Sequence, residues 1–196
     1  MTWELHHFID GKSVKGKSGR FGDVYNPATG EVTKRVPLAS ADETKKAIAA
    51  AGKALPEWSA TPPARRAQVI FKFRERLLEN SGELAELLSS EHGKTVPDAK
   101  GSVTRGVEVV EFACGIPHLL KGEYSEGVAS GVDTYAMRQP VGVCAGITPF
   151  NFPAMVPLWL FPLALPFCYT FVPFVPPSFR SPFLLSLLSF SFNKYS

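Results

Sequence analysis

Beyond Phe152 the sequence carries only two charged residues, Arg180 and Lys194, and after Gly146 it contains no glycine. Prolines crowd the same stretch, at 153, 157, 162, 166, 173, 176, 177 and 182. A proline inside a helix removes one hydrogen bond and clashes with the preceding turn, so the stretch breaks into short pieces. The 14 proline-free residues from Phe183 to Ser196 fall short of the ~20 that a bilayer-spanning helix needs. An apolar segment with neither turn glycines nor a polar face has no obvious place in a globular core. The composition therefore breaks at about Phe152.

Within 196 residues one sizeable core can be buried. The formal net charge of +3 is scattered, with no basic run able to track a phosphate backbone, so nucleic acid is excluded as the expected partner. Three cysteines, Cys114, Cys144 and Cys168, lack the paired spacing of a zinc site or a disulfide framework, which fits a reducing compartment, the cytoplasm. The start, "MTWELHHFIDGK", has no basic region followed by an apolar one, so no secretory leader is expected.

The chain opens with two turn-centred patterns, "HHFIDGKSV" around Asp10-Gly11 and "DVYNPATGEVTKRVP" around Asn26-Pro27 and Thr29-Gly30, which predict two β-hairpins. Ser40 with Glu43 forms a capping box for a helix to about Leu55, and Pro62-Pro63 opens a second to about Leu78. Ser81 is placed to cap a third, which Gly93 stops. A fourth begins near Pro97, with Val103, Val107, Val110 and Phe112 as its inward face. Two strands follow, Thr134 to Arg138 and Val141 to Ile147, the second apolar enough to be buried on both faces. Helices followed by a buried strand imply an α/β fold.

Several motifs have plain explanations. "EHGKT" lacks a phosphate loop's first glycine, since Leu88 stands there, and Gly93 serves as a helix stop. His6-His7 has no accompanying ligand cluster, so no metal site is expected. Cys114 and Cys144 read as core packing.

"ITPFNFP" is different. A buried strand ending at Thr148-Pro149 delivers the next residues to the carboxyl edge of a sheet, where α/β proteins place ligands. Asn151, between Phe150 and Phe152, offers an amide donor suited to a developing oxyanion. An asparagine that merely caps a turn is the competing reading.

"PFNFP" resembles a motif of the aldehyde dehydrogenase superfamily, and so do "FIDGK", "YNPATGEV", "EHGKT", "RGVEVVEFA" and "GVCAGITPFNFPAMVPLW". Together, over about residues 8 to 165, they look like its methylmalonate-semialdehyde dehydrogenase branch. The resemblance implies the N-terminal part of a Rossmann-like NAD-binding domain with an oligomerisation arm: 1–122 hairpins and helices, 123–140 the arm, 141–165 the start of the sheet. It makes Asn151 the catalytic oxyanion donor and makes Thr148, Pro149 and Phe150 contacts to NAD. Arg105 matches the arginine that grips the substrate carboxylate, a role its planar fork suits. The implied reaction is NAD-dependent, CoA-acylating oxidation of malonate or methylmalonate semialdehyde, in a homo-oligomer.

The resemblance is expected to stop after Leu165, leaving 166–196 as a non-homologous apolar tail. Phe174 stands where the family has a lysine for the adenosine side of NAD, and Pro173 with Pro176-Pro177 argues against a central strand. The family's catalytic cysteine has no counterpart. The chain is thus expected to be catalytically incomplete, poorly soluble, with the 141–147 strand unpaired. The alternative is a non-catalytic fragment that pairs with full-length subunits through "GVDTYAMRQP".

Overall fold

The computed structural model describes residues 3–166 and 170–174. Strand β1 (Trp3–Glu4) lies parallel to β5 (Val32–Pro37), which pairs antiparallel with β4 (Phe21–Tyr25). The short hairpin β2 (His7–Ile9) and β3 (Lys12–Val14) turns through Asp10 and Gly11 at φ 54° and 69°, the left-handed pair that a tight hairpin requires. Both opening hairpins are therefore present. Leu5, Val24 and Val36 form a small apolar cluster in this sheet.

Helix α1 (Ala41–Ala60) begins at the expected capping box. Ser40 accepts from the Glu43 backbone while the Glu43 carboxylate takes the Ser40 N–H. The backbone donors of Ser40 and Lys17 together hold the Glu43 carboxyl down at about 2. The helix runs past Leu55 and contains Pro56. Its last turn is tied to the far end of the chain, where the Trp58 indole donates to the Leu165 carbonyl at 2.9 Å.

Helix α2 (Pro63–Glu79) starts at its proline pair. Arg66 lies buried in its first turn and donates to the Pro166 carbonyl at 3.1 Å. Helix α3 (Ser81–His92) is preceded by Asn80 rather than capped by Ser81, because Ser81 is already helical and donates to the Leu78 carbonyl. Helix α4 (Val96–Cys114) is capped by Thr95, which accepts from the Asp98 N–H, and Pro97 falls in its first turn. Val103, Val107 and Val110 face inward as expected, but Phe112 is 60% exposed. Two residues beyond Val110 is about 200° around the helix, which turns Phe112 to the opposite side.

A short helix α5 (Ile116–Leu119) follows, then the hairpin β6 (Glu123–Ala129) and β7 (Val132–Ala136), every residue of which is exposed. The sequence pattern showed only its second half. Strand β8 (Val143–Ile147), helix α6 (Met155–Ala164) and strand β9 (Thr170–Phe174) form a parallel β-α-β unit, with Val143 opposite Thr170 and Ile147 opposite Phe174.

Two expectations fail here. The 141–147 strand is paired, and its partner comes from beyond Leu165 with Pro173 in register opposite Gly146. Among the described residues β9 has β8 as its one neighbour, and an edge strand tolerates proline. Nor is β8 buried on both faces: Gly146 is buried, while Ile147 is 82% exposed. An added Cβ on Gly52 of α1 would lie 4.0 Å from Val143 Cγ2, so the helix passes the amino end of the strand.

The main core joins α2 to α6, with Ile70, Leu77, Leu84, Leu88, Val103, Val110, Ile116 and Leu158 among its residues. Helices α4 and α6 approach closely at Gly106, where a Cβ would stand 2.5 Å from Leu158 Cδ1. The hairpin sheet is fastened to this body by a short ion pair between Lys34 on β5 and Glu91 on α3.

Candidate functional site

The loop 148–154 leaves the carboxyl end of β8 and enters α6, the position at which open parallel sheets hold ligands. Thr148 is only 4% exposed, yet its Oγ1 has no hydrogen-bond partner. A buried hydroxyl without a partner among the described residues costs free energy, which marks Thr148 as a candidate ligand contact. Pro149 is exposed and Phe150 half-buried against the core. Asn151 is exposed, so its amide is available to a ligand. The four loop residues singled out by sequence thus stand together at one sheet edge.

Two further residues bear on this loop, and both come from "EHGKT". Gly93 ends α3 at φ 83°, and a Cβ there would come within 2.8 Å of Pro27 Cγ, so glycine is required on both counts. On one side of the turn, His92 packs its ring against Phe150, centroids 5.4 Å apart, while its Nδ1 is buried without a hydrogen-bond partner among the described residues. On the other, the Lys94 ammonium stands 4.8 Å from the centroid of Phe152. Lys94 also reaches Ser102 Oγ at 3.2 Å and Asp98 at 3.3 Å, and its side chain is 8% exposed. Sequence reasoning treated this segment as a helix stop because each of its local features has that explanation. The contacts that give it another role span 58 residues and leave no local signature.

Burial lowers the His92 pKa below the ordinary histidine value, and the neighbouring Lys94 charge adds to the effect, against weaker opposing pulls from Asp98 and the Asn151 carbonyl. A lowered folded-state pKa means that the unfolded chain takes up the proton first. His92 thus contributes stability above its unfolded pKa near 6.5, and that contribution is lost as pH falls from there through the folded value. An NMR titration of the His92 imidazole is expected to give a midpoint below 6.5. A midpoint at or above that value would remove this account.

Arg105 is exposed on α4, three residues, or roughly 4.5 Å of rise, beyond Ser102. It shares a helix with the Lys94 contact but does not touch the loop in any recorded bond. Cys114 is buried, which pushes its thiol pKa up, and both described cysteines, Cys114 and Cys144, are free. Cys168 lies outside the described residues. Among the described residues no group of three or more His, Cys, Asp or Glu side chains could hold a metal, and no helix is long and apolar enough to cross a membrane.

Comparison with known proteins places this geometry. Residues 13–185 match the model of the aldehyde dehydrogenase family, a match that runs into the apolar tail. A malonate-semialdehyde dehydrogenase of Pseudomonas aeruginosa is 50% identical over 97% of this chain and 38% of its own length. An acylating, mitochondrial methylmalonate-semialdehyde dehydrogenase of Arabidopsis thaliana is 48% identical over 93% of the chain and 30% of its own. A Sinorhizobium meliloti crystal structure in complex with NAD, assigned as a methylmalonate-semialdehyde dehydrogenase, superimposes with a TM-score of 0.94 at 50% identity, covering 98% of this chain and 40% of that one. The chain therefore spans well under half the length of these relatives. With the family match covering most of its residues and these relatives agreeing with it in sequence and fold, the chain belongs to the aldehyde dehydrogenase family.

Proposed function

We propose that these residues are the nicotinamide-side portion of an NAD-dependent, CoA-acylating dehydrogenase of malonate or methylmalonate semialdehyde. The observation that carries the reading is the buried, unpartnered Thr148 hydroxyl beside the exposed Asn151 amide at the carboxyl end of β8. NAD, when bound, supplies the hydride acceptor. Thr148, Pro149 and Phe150 hold its nicotinamide half: the threonine with its hydroxyl, the proline and aromatic by shaping an apolar floor. Asn151 donates to the aldehyde oxygen as negative charge gathers there. Arg105 takes the free carboxylate that such semialdehydes keep at the end remote from the reacting carbon.

The fit is one-sided. Phe174 ends β9 at the register of Ile147, where a side chain without a donor cannot hydrogen-bond the adenosine ribose. Cys114, buried and with a raised pKa, is unsuited to be the nucleophile. Residues 1–196 by themselves are accordingly assigned no turnover. A second reading is favoured by the exposed hairpin of β6 and β7: pairing with another subunit by strand addition, as an interaction element of a homo-oligomer. The free cysteines suit a reducing compartment such as the cytoplasm.

The test is a chimaera joining residues 1–165 to the remainder of the Pseudomonas aeruginosa relative, assayed by NADH formation with malonate semialdehyde and CoA. Arg105→Ala is expected to raise KM for the semialdehyde by about ten- to a hundredfold, the loss of one charge-assisted contact. An aldehyde without a carboxylate should be indifferent. Equal losses for both substrates would overturn the carboxylate role, and a chimaera without activity would overturn the function.

A further inference from the structure

We propose that Lys94 is a positioning residue that, together with His92, aims the Asn151 amide. The assignment of a task to Asn151 rests on the proposed function; the clamp itself rests on geometry. Asn151 is exposed, so its direction must come from its neighbours in the chain, Phe150 and Phe152. Each of those rings meets one side chain of the same three-residue turn: Phe150 meets His92, and Phe152 meets Lys94. The Asn151 backbone is thus held from both flanks by a turn that is in turn fixed by the Gly93 fit against Pro27 and by Ser89 Oγ donating to the Lys94 carbonyl at 2.6 Å.

Lys94 is the informative member. At 8% exposure the Lys94 side chain is largely out of water, and its ammonium is surrounded by Asp98, Ser102 and the Phe152 face. A methionine or leucine would fill the same space without that cost. Asp98 is solvent-exposed, so it does not need Lys94 for compensation. The partner for which the ammonium matters most is Phe152, whose half-buried ring has the cation 4.8 Å from its centroid. Lys94 thereby couples α4, through Ser102, to the loop that carries the amide donor.

The experiment is hydrogen exchange by mass spectrometry on the full 196-residue chain, with Lys94→Met and Lys94→Arg beside the parent. Lys94→Met is expected to speed exchange about tenfold in peptides covering 148–156 while peptides from α1 and α2 are unchanged. Lys94→Arg keeps a cation over the ring and should restore slow exchange. In nitrogen-15 spectra the Asn151 side-chain amide should give one sharp pair of resonances in the parent and in Lys94→Arg, and a broadened or averaged pair in Lys94→Met. Unchanged exchange in 148–156, a uniform rise across the whole chain, or failure of arginine to rescue would each overturn the proposal. Because none of these measurements reads activity, a failed clamp and a failed oxyanion role for Asn151 are separable outcomes.

Discussion

In the chimaera described above, Asn151→Ala is expected to lower kcat by about 10² to 10³ with little change in the KM for NAD. The size follows from when the bond matters. An amide donor aimed at the aldehyde oxygen gains strength only as that oxygen takes on charge, so its loss raises the barrier without weakening ground-state binding. The Thr148 hydroxyl and the Phe150 ring, to which the proposed function gives the cofactor, are untouched by the substitution. Stopped-flow measurement of NADH formation, with NAD varied at saturating aldehyde, separates the two parameters. An unchanged kcat would return Asn151 to the role of a turn-capping residue, and a large rise in KM for NAD would move it to the cofactor.

Lys34→Met is expected to cost about 3 kcal/mol of unfolding free energy at neutral pH, the low end of the range for breaking a buried pair because Lys34 is itself about a fifth exposed. The variant strands Glu91, whose carboxyl is buried and has one oxygen without a partner even in the intact pair. Burial raises the Glu91 pKa, with Lys34 pulling it back only in part. A carboxyl with a raised folded pKa favours the folded state below its unfolded value, and that advantage is lost as pH rises through the folded value. The deficit of Lys34→Met should therefore shrink as pH is lowered. Adding Glu91→Leu should recover most of the loss, since a pair replaced by apolar groups is often neutral. Urea unfolding followed by circular dichroism at two pH values checks all three statements. A single variant within about 0.5 kcal/mol of the parent would show that the pair is solvated and contributes little.

What the sequence made legible was local. The Ser40 box, the Asp10-Gly11 turn and the Pro62-Pro63 helix start each involve residues within a few positions of one another, so their chemistry can be read directly from the letters. The loop 148–154 was legible because a strand followed by Thr-Pro fixes a sheet edge. Burial of β8 was misjudged for the opposite reason: "VCAGI" is apolar, but whether Ile147 is covered depends on which elements pack over it, and none of those described does. The partner strand β9 was missed because Pro173 argues against a central strand, whereas the observed strand has one neighbour among the described residues. His92 and Lys94 had the strongest disguise, since Gly93 explains its own segment completely at short range.

The contacts of Trp58 with the Leu165 carbonyl and of Arg66 with the Pro166 carbonyl close loops of 107 and 100 residues. During synthesis the polypeptide grows at roughly 5 to 20 residues per second, so α1 and α2 leave the ribosome about 5 to 20 seconds before their acceptors exist. For that interval the Arg66 Nε–H and the Trp58 indole N–H lack the carbonyls they finally bond. The two helices can coil early, but they can be fastened only after α6 has emerged, which makes the arrival of residues 165 and 166 the moment at which the earlier half acquires its final shape.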